Sequence, residues 1–280
     1  MVVGPPWNRF PRAPGPALPR PGRLGAVKRS GKLPSPVFLG LVALTILGGV
    51  LTLLDSTAAV EGGTLLLVLG GWGITLSLHE FSHAAVAYKG GDYSVRHKGY
   101  LNLDIRRYTD PVFSLVIPLL LLVIGGIPLP GGAVWINQHA LRSRGFRSMV
   151  SLAGPLSNLT IGVLLTVIIR FTTAQDIFPN PLVAGLSYLA LLQILAFVLN
   201  ILPIPGLDGW GAIEPYMSPE AQRFGAQVRP WAPLVLFVLL FASSTVSAVF
   251  FGITDHIFDA IGGNELFAGI GQNNFLFWRR

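Results

Sequence analysis

The 280-residue chain has no cysteine. Disulfides and thiolate metal sites are therefore both excluded, and any metal must be held by histidine and carboxylate. Charge is nearly as scarce: 12% of the residues are Asp, Glu, Lys or Arg, about half the fraction usual for a soluble domain. The few charges are clumped, and none falls in residues 33–54, 62–78, 111–141, 148–169, 177–207 or 230–254. A soluble core would interrupt such runs with a charge every turn or two. A spanning helix, by contrast, needs roughly 20 predominantly apolar residues at 1.5 Å rise each. The fold class that follows is an all-α polytopic membrane protein. Acid is absent from residues 1–33, which carry Arg9, Arg12, Arg20, Arg23, Lys28, Arg29 and Lys32 and are rich in Pro and Gly. Residues 1–34 thus read as a disordered basic tail, held in the cytosol by the positive-inside tendency. Topology accounts for the formal charge of +7, so the expected contacts are membrane lipids and not nucleic acid. The apolar run after the tail exceeds the roughly 7–15-residue core of a cleaved signal peptide and reads as a first span.

About five spanning helices are expected, at residues 37–54, 64–88, 148–169, 182–202 and 231–251. They form one membrane domain over residues 35–254, followed by a C-terminal tail at 255–280. Alternation in residues 93–95 and 100–105 predicts a small β-hairpin. Lys89, Arg96, Lys98, Arg106 and Arg107 follow the second span, and Arg142, Arg144 and Arg147 precede the next long apolar block. If both groups are cytosolic, residues 111–127 must enter and leave on the same side. With Pro118 inside it and Gly-Gly near its end, that segment reads as re-entrant rather than spanning. Gly131, Gly132, Ala133 and Val134, continuing into Trp135 and Ile136, place small residues before β-formers. They predict an edge strand to which an extended substrate backbone could add; the competing reading is a turn and a loop at the membrane surface.

Chemistry concentrates late in the second span, in Leu78-His79-Glu80-Phe81-Ser82-His83. His79 and His83 are one helical turn apart and project from one face, where two imidazoles can meet one zinc. Glu80 lies about 100° around the helix, within reach of a water on the metal without itself ligating it. With five His and five Glu in the chain, this pattern arises by chance on the order of once in a thousand such sequences. A polar patch packed between helices is the competing reading. Intramembrane His and Glu each cost on the order of 2–3 kcal/mol, which zinc binding, roughly 10–16 kcal/mol in small peptides, can offset. A catalytic zinc has three protein ligands, so a third is needed. Asp208 stands out, ending the 182–202 run within Asn200-Ile201-Leu202-Pro203-Ile204-Pro205-Gly206-Leu207-Asp208-Gly209, where prolines break the helix and glycines allow close approach. An ordinary Pro/Gly turn at a membrane boundary would look much the same.

A membrane-embedded HExxH followed by Asn-x-x-Pro-x-Pro-x-Leu-Asp-Gly resembles the site-2 protease family of intramembrane zinc metalloproteases. Ala153-Gly154-Pro155-Leu156-Ser157-Asn158 is similar to a further element of that family, and the likeness covers residues 64–210, about half the chain. The resemblance implies one Zn2+ per chain, His79, His83 and Asp208 as its ligands, and Glu80 as the catalytic glutamate acting on a water. It implies cleavage of transmembrane protein substrates. Charge, by contrast, gives the placement: a multi-pass protein of the cell membrane with a cytosolic N-terminus and, because the exit of the second span is basic, an active site toward the cytosol. The chain has no room for the PDZ or nucleotide-binding domains that some members carry. Asn158 reads either as a donor to the developing oxyanion or substrate backbone, or as an interhelical hydrogen bond. Asn200, Pro203, Pro205 and Gly209 read as structural, fixing the end of the helix and the loop. A zinc transporter would explain buried His and Asp but not Glu80, and would be expected to show repeats. An inactive homologue that only binds membrane segments would have no need of Glu80.

Overall fold

The computed structural model describes residues 34–108, 134–172 and 180–279. The basic tail, the 111–127 segment and residues 131–133 fall outside them. Helix α1 (Pro36–Leu51) opens on Ser35, whose side chain accepts the Phe38 N–H, with Pro36 at the first helical position, where the missing N–H costs nothing. Helix α2 (Thr57–Gly90) runs 34 residues and stops at Gly91, which takes a left-handed φ of 116°. The two helices touch backbone to backbone along Gly48, Gly63 and Gly70. A Cβ on Gly63 would lie 2.8 Å from the Gly48 carbonyl oxygen, and one on Gly70 2.5 Å from Thr45 Oγ1. Lipid tails are as apolar as leucine, so close backbone packing of this kind is what holds helices together in a membrane.

The polar connection after α2 is helical, not a hairpin. It comprises the single turn α3 (Ser94–His97) and 3₁₀ turns at Tyr100–Asn102 and Ile105–Arg107; there is no strand among the described residues. Local side-chain bonds take the place of a ladder. Asp92 Oδ1 accepts from the Ser94 N–H and Oγ, Asp104 accepts from the Arg106 N–H, and Gly99 and Leu103 adopt positive φ. The Arg106 guanidinium grips the Asp104 carboxylate through two bonds of 2.9 Å and holds its carboxyl below the ordinary value. Ser35 bonds Asn102 and Leu103, fastening the start of α1 to this connection. The Arg142 N–H donates to the Gly90 carbonyl at 3.0 Å. The start of α4 (Arg144–Thr172) therefore stands at the same end of the bundle as the end of α2.

Helix α5 (Pro181–Ile201), begun by an Asn180 cap onto the Val183 N–H, occupies the centre, with α2 and α4 against it. Then follow α6 (Asp208–Ile213), α7 (Pro219–Val228), α8 (Ala232–Ala242), α9 (Ser244–Ala260) and α10 (Glu265–Phe275). Helix α10 lies along α5, its Gly271 against Ala184 and its Phe275 ring against Tyr188.

Among the described residues, three helices are long and apolar enough to cross a membrane: α2, α4 and α5. There are four if α7 and α8, bent by 63° at their break, form one span. The five expected spans differ from this in two places. Helix α1 has 16 residues, about 24 Å at 1.5 Å each and short of a roughly 30 Å hydrocarbon core. The 231–251 run is divided at Ser243, which has extended backbone and caps α9 by accepting the Val246 N–H. Ser243, Ser244 and Thr245 compete for the backbone bonds that would continue the helix.

Candidate metal centre

Helix α2 carries His79, Glu80 and His83, all buried, about 16 Å before its end at Gly90 for His79. The two imidazoles stand edge to face with their Nε2 atoms 3.0 Å apart. Asp208, first residue of α6, closes the triangle, its Oδ2 lying 3.2 Å from His79 Nε2 and 3.4 Å from His83 Nε2. It is the one group of three such ligand side chains among the described residues.

Asp208 is brought there by the way α5 ends. Pro203 and Pro205 prevent the helix from continuing, and Gly206 turns the chain with a φ of 102°. Gly209 then lies so close to the carbonyl of Ile201 that a Cβ would collide with it. From the other side, Ser148 Oγ on α4 donates to the Ala212 carbonyl at 2.6 Å, and a Cβ on Gly211 would lie 2.6 Å from Ser151 Oγ. Helix α6 is thus clamped between the end of α5 and the first turns of α4. Asn200 donates to its own helix, at the Ala196 carbonyl, 3.0 Å away.

The site fits zinc. A tetrahedral ion with bonds of about 2.0–2.1 Å sets its ligand atoms about 3.3–3.4 Å apart, against 3.0, 3.2 and 3.4 Å here. The space for it is kept by Gly154 of α4. A Cβ there would sit 2.5 Å from His79 Nε2 and closer still to His83 Nε2, where an ion bonded to both would lie. The rings are also aimed. His83 Nδ1 donates to the Val150 carbonyl at 2.6 Å, and His79 Nδ1 pairs with Asn158 Oδ1. Both protons are thereby placed on Nδ1, leaving both Nε2 lone pairs for a metal.

A comparison with known proteins bears on this geometry. No family model matches the chain, and no solved structure gives a significant match. A curated relative from Mycobacterium tuberculosis (strain ATCC 25618 / H37Rv), named "Putative zinc metalloprotease Rip2", is 42% identical over 254 residues, covering 90% of this chain and 96% of the relative. The chain belongs to the site-2 protease family. The Rip2 of Mycolicibacterium smegmatis is 40% identical over 255 residues, 89% of this chain and 96% of that one. The relative named YwhC from Bacillus subtilis (strain 168), also named as a zinc metalloprotease, is 29% identical over 217 residues, 71% of this chain and 90% of that one. Zinc as cofactor and a metalloprotease function accord with both the names and the cluster.

For a site-2 family member, the residues around the ligands are informative. Glu80 is buried, and its Oε2 accepts the Val134 N–H at 3.3 Å. Val134 is the one residue of the expected 131–134 docking strand that is described. It continues into irregular chain, because Lys98 Nζ donates to the Trp135 carbonyl at 2.8 Å and Asp92 Oδ2 accepts the Asn137 N–H at 2.7 Å. Both ends of the Asn158 amide are engaged within the protein, since its Nδ2 donates to Gln193 Oε1 at 2.8 Å. Gln193, on α5, is fully buried, and its Nε2 has no partner among the described residues. Leaving such a donor unmet costs about 1–3 kcal/mol, whereas an interhelical hydrogen bond in a membrane returns about 0.6 kcal/mol on average. Sequence reasoning passed over Gln193, although the signal was there: it is the one amide in the charge-free stretch from residue 181 to 199. It read Gly154 as a small residue for helix packing and did not see that it keeps the space for the ion.

Proposed function

We propose that the chain is an intramembrane zinc endopeptidase that hydrolyses peptide bonds of transmembrane protein substrates. It sits in the cell membrane with its N-terminus and the open side of its site toward the cytosol. The observation that carries this reading is the meeting of His79, His83 and Asp208 beside the buried Glu80 on a helix long and apolar enough to span. His79, His83 and Asp208 would hold zinc, which when bound supplies Lewis acidity to a water and to the scissile carbonyl. Glu80 accepts the proton of the attacking water and returns it to the leaving amine. Its carboxylate is kept in place by the Val134 N–H, so it need not reorganise between the two transfers. A helical substrate hides its amides in internal hydrogen bonds and must unwind locally before it can be cut.

Glu80→Gln tests the assignment of the base. Cleavage of a transmembrane peptide should fall by about 10²–10⁴-fold, while the variant keeps its zinc. Undiminished cleavage, or loss of the metal along with activity, would remove Glu80 from that role.

A further inference from the structure

We infer that Gln193 is a positioning residue for the metal centre, acting on His79 through Asn158; the inference rests on His79 being a zinc ligand. To ligate through Nε2, His79 must carry its proton on Nδ1 and needs an acceptor there. The atom facing Nδ1 is Asn158 Oδ1. A carboxamide, however, can face a neighbour with either end, and turned over it would present an N–H₂ to Nδ1. That would favour the opposite tautomer, with the proton on the nitrogen the metal needs. Something must fix the amide's direction, and Gln193 Oε1 does so by accepting from Asn158 Nδ2 at 2.8 Å. In the structure Gln193 Oε1 faces the Asn158 amide nitrogen and Asn158 Oδ1 faces His79 Nδ1, so the three groups run in one direction that ends at the metal face. His83 needs no such device, because its Nδ1 donates to the Val150 backbone carbonyl, which can only accept.

The alternative is that Gln193 merely glues α4 to α5. That explanation is weak on energetic grounds. A buried amide that satisfies only one of its ends costs more than a single interhelical hydrogen bond returns. Gly162 of α4 also lies against the Gln193 Cβ and Ile194, so the two helices are already in close contact there. A leucine at 193 would serve packing as well and leave no orphan donor.

The test is zinc affinity of the purified full-length protein, by competition with a chelator, alongside melting of the zinc-free form. Gln193→Leu should weaken zinc by about 10-fold or more, within the range known for outer-shell partners of a ligand. Gln193→Glu, which keeps an acceptor oxygen at the same reach, should restore most of it. The decisive arm is the Asn158→Asp background. A carboxylate accepts with either oxygen and has no wrong way round, so adding Gln193→Leu there should cost no further affinity. If Gln193→Leu lowers melting but leaves zinc affinity unchanged, or weakens zinc equally in the Asn158→Asp background, the positioning role is overturned and glue is left. That failure is distinct from failure of the zinc reading, which would show as a wild type, or a His79→Ala control, whose zinc content does not depend on the cluster.

Discussion

The bundle around α2, α4 and α5 and the pair α8–α9 are both apolar, yet they treat their polar atoms differently. On α8, Leu234, Val235, Val238, Leu239 and Phe241 are exposed, a surface suited to lipid, and the Thr254 hydroxyl of α9 returns to the Phe250 carbonyl of its own helix. Thr64, Ser77 and Ser187 do the same on α2 and α5. His79, His83, Asn158 and Gln193, in contrast, bond across from one helix to another. In a medium without water, a hydroxyl can satisfy itself on the nearest turn, whereas the imidazoles of His79 and His83 and the amides of Asn158 and Gln193 take partners that other helices bring. Cross-helix polar bonds therefore mark the place where the fold serves chemistry, and glycines mark where it allows helices to come that close.

The comparison can be broken most forcefully at Gly154. Gly154→Ala places a methyl where the ion belongs, so zinc should fall from about one per chain to near none, with the helical content by circular dichroism retained. Normal zinc in that variant would mean that the metal sits elsewhere. Gly48→Ala should have a smaller and different effect, because its Cβ would meet the Leu67 backbone. It should destabilise by about 1–3 kcal/mol, as overpacking does, in a detergent unfolding titration, with zinc per chain unchanged. On the lipid-facing side, Val235→Leu should alter stability by no more than about 0.5 kcal/mol and leave zinc untouched; a metal defect there would dissolve the distinction between the two regions.

Much of the site was legible because its chemistry needs fixed spacings. His79 and His83 announce themselves by one turn of helix, and Asp208 by prolines that cannot continue α5. The membrane class was legible from the charge-free runs alone. The hairpin at 93–105 was misread because alternation there reflects burial of Val95, Tyr100 and Ile105 against the helices, while Asp92 and Asp104 decide the backbone. The break at Ser243 was hidden inside an apolar run whose hydropathy says nothing of capping. Gln193 and the full meaning of Gly154 depend on which helices meet at which level, and no spacing within one helix encodes that.

The most direct test of the central claim is zinc per chain in the wild type and in Asp208→Ala, with cleavage of a transmembrane peptide followed in the same preparations. The three-ligand site predicts about one zinc per chain in the wild type, and its loss or marked weakening in the variant together with cleavage. Full zinc retention and cleavage in Asp208→Ala would contradict it, and the third ligand would have to be sought elsewhere in the chain.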